Sequence, residues 1–186
     1  MRLLCAFLLT LSLSALADSP QPLTPTLREV ATKRGFLIGT ATSGALLTRD
    51  AAYAAIVARE FNILTPENDM KWIAIHPASN RYDWAVADRH VAFAEAHGMT
   101  VHGHNLCWHL GPPAWIGEKP RSREDLLQIL TNHIATVVGH YRGRVALWDV
   151  VNEAIDETVP DHLRHSVWRD GTVSYTHLTL PTIYSV

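Results

Sequence analysis

The stretch Leu147-Trp148-Asp149-Val150-Val151-Asn152-Glu153-Ala154 decides the fold class that we predict for this chain. Its apolar, β-branched residues are typical of a strand that is buried on both faces. The strand ends abruptly at an amide and a carboxylate, Asn152 and Glu153. In α/β barrels, side chains at the C-terminal ends of strands carry out the chemistry. Glu153 is therefore a candidate proton donor at the rim of a barrel. The alternative is an ordinary strand that ends in a solvated loop, where glutamate is common.

Upstream of this stretch, strand-like and helix-like segments alternate. A short helix near residues 27–34 ends at Gly35, a residue typical of helix C-termini. Strands are predicted at residues 36–41, 62–65, 99–104 and 145–151, and helices at 49–61, 84–97 and 122–141. Four strand–helix repeats predict a parallel sheet with crossover helices. An open doubly wound sheet is the alternative, but residues 39–44 lack the spacing of a phosphate loop, and we predict a turn there.

Composition limits the classes of partner. A chain of 186 residues is long enough for one domain with a hydrophobic core. Its formal net charge is −2 and its basic residues are scattered, so we expect neither nucleic acid nor a membrane as a partner. Six tryptophans are many for this length, and their faces suit stacking on sugar rings, although any one of them could instead be a core residue.

Both ends of the chain differ from its middle. Residues 1–17 combine an N-terminal arginine, an apolar run and a small-x-small site, which predicts a signal peptide and export to the periplasm or the medium. Residues 18–25 resemble a linker. Residues 172–186 contain no charged side chain and resemble a translated vector or adapter sequence. Removal of the signal peptide leaves Cys107 as the only cysteine, which we expect to be a small buried apolar residue.

Polar side chains follow the second and third predicted strands, as they follow the fourth. The second strand leads into Glu67, Asn68 and Lys71, and the third leads into His104 and Trp108. An acceptor, an amide and a cation within one turn suit a polyhydroxylated ligand, because each hydroxyl both donates and accepts hydrogen bonds. The carboxyl ends of parallel strands lie at one edge, so these residues are predicted to meet there.

The same segments resemble glycoside hydrolase family 10, the retaining endo-1,4-β-xylanases. The resemblance runs from about residue 27 to residue 168, and its strongest parts are residues 64–72, 103–109 and 148–154. It implies a (β/α)8 TIM barrel, of which this sequence holds only about the first four β/α units. It also implies xylan or xylo-oligosaccharides as substrate, no metal or other cofactor, and a monomer when the protein is full length.

The resemblance further implies a role for each candidate residue. Glu153 matches the general acid/base, and Asn152 matches the amide that holds the sugar 2-hydroxyl at the cleavage point. The residues that match the family's glycone-side sugar-binding positions are Glu67, Asn68 and Lys71. The residues that match the lining of the cleavage subsite are His104 and Trp108. The family's nucleophilic glutamate lies on the seventh strand, which this sequence does not contain, and Glu67 does not replace it. Residues 110–113 also lack a glutamine that relatives often carry. We therefore expect the 186 residues to be inactive, and poorly folded, on their own.

Two other readings compete with this one. His102 and His104 lie on one face of a strand, as the ligands of a metal-dependent barrel hydrolase could, but no third ligand is evident at a suitable spacing. A non-catalytic sugar-binding module could also use the tryptophans. Such modules are usually β-sandwiches, which the helix-rich alternation does not favour.

Overall fold

The computed structural model describes residues 24–172. The predicted signal peptide, the linker up to residue 23 and the tail from residue 173 lie outside this range. No helix within it is both long and apolar enough to cross a membrane. The strands are β1 (Gly39–Thr42), β2 (Ile63–Pro66), β3 (Thr100–Gly103) and β4 (Leu147–Trp148). The helices are α1 (Leu27–Lys33), α2 (Gly44–Arg49), α3 (Ala51–Glu60), α4 (Trp72–Ile75), α5 (Ala85–Ala96), α6 (Arg123–His140) and α7 (Val167–Thr172).

The four strands form one sheet in the order β1-β2-β3-β4, and each pair is parallel. Thr42 at the end of β1 pairs with Pro66 at the end of β2, and Gly103 at the end of β3 pairs with Trp148 at the end of β4. The predicted parallel sheet with crossover helices is thereby confirmed. All four carboxyl ends lie at one edge of the sheet.

The core lies where the crossover helices cover the sheet. Leu64 of β2 and Val101 of β3 are essentially inaccessible, as are Val91 of α5 and Val137 of α6. A second apolar cluster lies below the long loop after β3 and contains Cys107, Trp115 and Trp168, together with Trp72, Ile116 and Leu126. Burial of these side chains supplies the main favourable free energy of folding.

Local signals set the ends of the helices. Ser122 accepts a hydrogen bond from the Asp125 N–H, and the Asp125 carboxylate accepts one from the Ser122 N–H. This capping box confirms the predicted start of the long helix α6. Gly35 follows α1 with φ = +66°, a backbone conformation that side chains disfavour, so the predicted stop at this glycine is also confirmed.

The fourth strand differs from its prediction. We expected residues 145–151 to form a strand buried on both faces, but regular pairing covers only Leu147–Trp148. Val150 and Val151 are 55% and 59% exposed. The physical reason is position: β4 ends the strand order, so within residues 24–172 no strand pairs with its second edge. The apolar pattern predicted a strand, and it did not reveal which neighbours cover it.

The region after the first strand also differs. The predicted strand 36–41 begins later, because the Asn62 side chain accepts a hydrogen bond from the Ile38 N–H and Phe36 and Leu37 remain exposed. The predicted turn at residues 39–44 is instead the whole of β1 followed by the start of α2. Asp50 separates α2 from α3 by accepting hydrogen bonds from two N–H groups of α3, so a second helix starts there.

A row of nearly parallel rings connects α4, α6 and α7. The ring of His133 lies 3.7 Å from that of Trp72, with an angle of 4° between the planes, and Trp72 stacks on Trp168 at 4.7 Å. On its other side, His133 stacks on His76 at 5.5 Å, and His76 stacks on Tyr82 at 4.0 Å. The row therefore joins three helices that are distant in sequence.

The row contains two buried imidazoles that share a hydrogen bond. His76 Nε2 lies 3.4 Å from the Ser79 carbonyl oxygen, so Nε2 carries the proton and Nδ1 accepts from His133 Nδ1 at 3.3 Å. His133 Nε2 has no hydrogen-bond partner among the described residues. Burial, followed by the nearby His76 charge, lowers the pKa of His133 to about 3. The fold therefore requires a neutral imidazole at this position.

Acid should destabilise the fold through His133. The unfolded chain binds a proton near pH 6.5 and the folded chain binds it only near pH 3, so stability is lost as the pH falls between these values. At pH 4.5 this contribution is about 2–3 kcal/mol. We expect His133→Phe to reduce the loss of unfolding free energy between pH 7.5 and pH 4.5, measured by urea denaturation. Val137→Ala, one turn further along α6, should keep the wild-type difference. An unchanged difference in His133→Phe would contradict this account.

Candidate active site

The loops after β3 and β4 meet at Trp108. Its indole Nε1 donates a hydrogen bond to Glu153 Oε2 at 2.9 Å. The backbones of the two loops also pair, because Asn152 N donates to the Cys107 carbonyl at 2.8 Å. The structure thus brings together three of the predicted site residues, Trp108, Asn152 and Glu153.

The loop after β2 reaches the same place. Lys71 Nζ lies 4.6 Å from the centre of the Trp108 ring, within cation–π distance, and donates a hydrogen bond to Asn68 Oδ1 at 2.8 Å. Glu67 is exposed beside Asn68, and its N–H donates to the Thr42 carbonyl at 3.0 Å. A chain of contacts therefore leads from Asn68 through Lys71 and Trp108 to Glu153.

Glu153 has an unusual backbone. Its φ is +51°, in the left-handed region that non-glycine residues rarely adopt. Its carbonyl accepts a hydrogen bond from Arg164 Nε at 3.0 Å, which helps to hold this conformation. Backbone strain of this kind is typical of functional sites, where the surrounding structure holds a side chain in a required direction. The carboxylate is 53% exposed and faces solvent as well as Trp108.

Beneath the site, one carboxylate holds two imidazoles. Asp149 accepts hydrogen bonds from His102 Nε2 at 3.0 Å and from His104 Nδ1 at 2.7 Å. The Thr65 hydroxyl lies 3.3 Å from His102 Nδ1 and can donate to it. Partial burial raises the pKa of Asp149, but the hydrogen bonds and charges of His104 and His102 outweigh it, and the pKa lies below its ordinary value. An ionised Asp149 therefore orients His104 at the rim.

Asp149, His102 and His109 were not among the residues predicted for the sugar site, although His102 was considered as a metal ligand. Asp149 and His102 could have been suspected, since they lie beside predicted site residues and carry hydrogen-bonding groups. His109 Nδ1 lies 3.6 Å from Glu153 Oε2 and has no hydrogen-bond partner among the described residues. Its only sequence signal is its place next to Trp108. His102 and His104 hydrogen-bond the Asp149 carboxylate, and His109 lies near the Glu153 carboxylate. Among residues 24–172, no group of three or more His, Cys, Asp or Glu side chains is arranged to hold a metal ion.

Cys107 is not a nucleophile in this arrangement. The thiol is buried, and burial raises its pKa to about 11, so the reactive thiolate is scarce at neutral pH. Its expected role as a small buried apolar residue is confirmed by its place in the second apolar cluster.

Within the part of the chain that the structure describes, two of the cavities that open to solvent are lined by aromatic or candidate residues. One, of about 300 Å³, borders Glu153 and Asn152 and is otherwise lined mainly by apolar residues that include Val151, Leu163 and Trp168. The other, of about 590 Å³, is lined by His76, Tyr82 and Trp115 and by none of the predicted site residues. Of these two, only the smaller cavity reaches the candidate active site, through Asn152 and Glu153.

Comparison with known proteins identifies the family. The family model described as glycosyl hydrolase family 10 matches residues 26–175. The chain belongs to this family. Its fold is that of the (β/α)8-barrel xylanases of family 10, and residues 24–172 supply four strand–helix units of it. The barrel and the family resemblance predicted from the sequence are therefore confirmed.

Individual family 10 relatives show how much of a member this chain represents. It is 51% identical over 116 residues to endo-1,4-beta-xylanase B of Thermotoga neapolitana, and 42% identical over 168 residues to a beta-1,4-xylanase of Dictyoglomus thermophilum. It covers 33% and 46% of their respective lengths. The crystal structure of xylanase 10B from Thermotoga petrophila in complex with xylobiose matches with a TM-score of 0.77 and 44% identity, over 82% of this chain and 46% of that one. The chain thus spans about half the length of a relative, or less.

The arrangement beneath the rim predicts opposite tautomers for two histidines. At pH 8 we expect the His102 proton on Nε2 and the His104 proton on Nδ1, since both nitrogens donate to Asp149. Asp149→Asn offers a single acceptor oxygen, so one ring should change its tautomer. Long-range ¹H–¹⁵N correlation spectra measure this directly. Thr65→Val is the control and should affect His102 only. Unchanged tautomers in Asp149→Asn would show that Asp149 does not orient these rings.

Proposed function

We propose that this chain supplies the proton-transferring part of an endo-1,4-β-xylanase, which hydrolyses internal bonds of xylan with retention of anomeric configuration. The supporting observation is the contact chain Lys71–Trp108–Glu153, which joins residues from the ends of three strands. The names of the relatives support the substrate class, since the Thermotoga neapolitana and Dictyoglomus thermophilum relatives are named xylanases and the Thermotoga petrophila protein was crystallised with xylobiose.

In this proposal Glu153 first acts as an acid. Its carboxyl proton passes to the glycosidic oxygen while that oxygen leaves the anomeric carbon, and a second carboxylate forms a bond to the same carbon. Glu153, now ionised, then removes a proton from the water that releases the sugar. Trp108 holds Glu153 Oε2 through the indole N–H, which leaves the other oxygen, Oε1, for the proton transfer.

The remaining candidates bind sugar. Asn68 and Lys71 present an amide and an ammonium at the rim, and Glu67 presents an exposed carboxylate beside them. Together they can donate to and accept from the hydroxyls of a xylose unit on the glycone side. Asn152 is assigned to the 2-hydroxyl at the cleavage point, and His104, oriented by Asp149, to the lining of that subsite.

The second carboxylate is assigned to the seventh strand of the barrel, beyond the four strands that the structure describes. We therefore propose that the 186 residues do not hydrolyse xylan on their own. We further propose that the protein is exported, since residues 1–17 have the pattern of a signal peptide, and that it acts as a monomer when full length. Sequencing of the secreted protein should show Asp18 at its N-terminus, and light scattering of the full-length protein should give the mass of a monomer.

The role of Glu153 can be tested in a chimeric protein, in which residues 26–168 replace the aligned part of the Thermotoga petrophila xylanase 10B. Glu153→Gln should lower kcat/KM on xylan by about 10²–10⁴-fold, because a sugar oxygen leaves poorly without a proton. The loss on dinitrophenyl xylobioside should be far smaller, since dinitrophenolate needs no protonation. Reducing-sugar release and phenolate absorbance measure the two reactions.

Glu157→Gln is the matched control, because Glu157 is an exposed carboxylate four residues further along the same loop. It should keep the activity of the chimeric protein on both substrates. An equal loss on both substrates for Glu153→Gln would contradict a role in proton donation. Binding of xylan without turnover by the unmutated chimeric protein would favour a sugar-binding module instead.

A further inference from the structure

The loop that carries Glu67, Asn68 and Lys71 is attached to the core by Asp69. The Asp69 Oδ2 atom accepts two hydrogen bonds, from the Gly44 N–H at 2.9 Å and from His90 Nε2 at 2.7 Å. The Asp69 side chain is 27% exposed, whereas that of His90 on α5 is completely buried. Asp69 therefore links the exposed loop to a residue in the interior.

The second ring nitrogen of His90 is also occupied. His90 Nδ1 lies 3.0 Å from the Thr42 hydroxyl at the end of β1. Because His90 Nε2 donates to Asp69, Nδ1 accepts and the hydroxyl donates. Burial lowers the pKa of His90, against the opposing influence of Asp69, so the ring is held neutral with one proton. A neutral ring in this tautomer satisfies both of its partners.

The point where these groups meet is closely packed around Gly44. A side-chain carbon added at Gly44 would lie 2.8 Å from Val86 Cγ1, 2.9 Å from Asp69 Oδ2 and 3.0 Å from His90 Nε2. These separations are shorter than van der Waals contact. The bare backbone of Gly44 therefore lets its N–H, the carboxylate and the imidazole meet at one point.

The other side of the loop faces the candidate active site. Thr42, which contacts His90 through its hydroxyl, also accepts the Glu67 N–H through its carbonyl at 3.0 Å. Lys71 donates to Asn68 and lies over the Trp108 ring. Asp69 lies between Asn68 and Lys71 in the sequence, so we expect a shift of its backbone to move its neighbours on both sides.

We propose that His90 is a positioning residue for sugar binding, which holds Asp69 and through it sets Glu67, Asn68 and Lys71 at the glycone side. This inference rests on the proposed function, since it assumes that those three residues bind the sugar. His90 itself touches no substrate. It acts by keeping the loop in its binding conformation before the ligand arrives, which lowers the cost of ordering on binding.

The test is xylotriose binding by the chimeric protein described above, made inactive by Glu153→Gln and measured by calorimetry. His90→Phe keeps the ring but removes the charge-assisted hydrogen bond to Asp69, and we expect the Kd to rise on the order of tenfold. Asp69→Ala removes the same hydrogen bond and should raise the Kd by about the same factor. The double variant should have a Kd no higher than that of either single variant. His90→Gln keeps an N–H donor and should recover most of the affinity.

A purely structural role for His90 predicts a different pattern. Val91→Ala, next to His90 on α5, empties part of the core without touching Asp69 and should lower the unfolding temperature while the Kd stays at the wild-type value. If the Kd instead follows the unfolding temperature across all variants, His90 only stabilises the fold. A wild-type Kd in both His90→Phe and Asp69→Ala would also overturn the proposal.

A second readout separates this inference from the proposed function. In ¹H–¹⁵N spectra without ligand, His90→Phe should shift the amide signals of Asn68, Asp69 and Lys71 well beyond the shifts caused by Val91→Ala. If the chimeric protein with Glu153→Gln as its only substitution does not bind xylotriose, the proposed sugar-binding role of the loop fails, and the amide shifts alone decide whether His90 sets the loop. Unmoved loop amides would overturn the positioning role.

Discussion

Parallel strand pairing is the constraint on which the rest of this structure depends. Because β1, β2, β3 and β4 all run in one direction, their carboxyl ends share an edge, and the loops that follow them must converge. Thr42 and Pro66 lie opposite each other at that edge, as do Gly103 and Trp148. Residues up to about eighty positions apart in sequence, such as Lys71 and Glu153, thereby come within reach of one indole ring. An antiparallel arrangement of the same strands would place alternate loops at opposite ends.

Imidazoles that are buried or partly buried recur among the described residues, and they differ in how completely their nitrogens are hydrogen-bonded. His90 has a partner on both nitrogens, and His102 has Asp149 and Thr65. His133 has one partner and one bare nitrogen in a row of stacked rings. A fully satisfied buried polar group specifies one arrangement of its neighbours, whereas a partly satisfied one costs free energy. Neither kind is confined to one place, since His76 in the row of rings is hydrogen-bonded on both nitrogens, whereas His109 beside Glu153 has a bare Nδ1. His90 and His102 differ from His76 in their partners, because each hydrogen-bonds an aspartate that adjoins or contacts a candidate site residue.

Much of this could be predicted from local pattern. Strand–helix alternation, the start of α6 at Ser122 and the stop at Gly35 follow from short-range rules, and the structure agrees with them. The candidate residues after β2, β3 and β4 were found because each follows an apolar run. The short helix α2 was missed, since its residues show no clear apolar periodicity and Asp50 starts a new helix after six residues. The burial of β4 was also wrong, because a strand's apolar pattern does not say how many neighbours it has.

The order of residues alone was enough to establish a parallel α/β fold, the family, and the set of polar groups at the strand ends. It could do so because those properties are encoded within short windows, through periodicity, caps and motif spacing. Only the tertiary structure decided that Trp108 bonds to Glu153, that Asp149 holds His102 and His104, and that His90 reaches Asp69 from inside α5. These contacts join segments that are 21 to 47 residues apart. Their geometry depends on how the helices pack on the sheet, which no local pattern specifies.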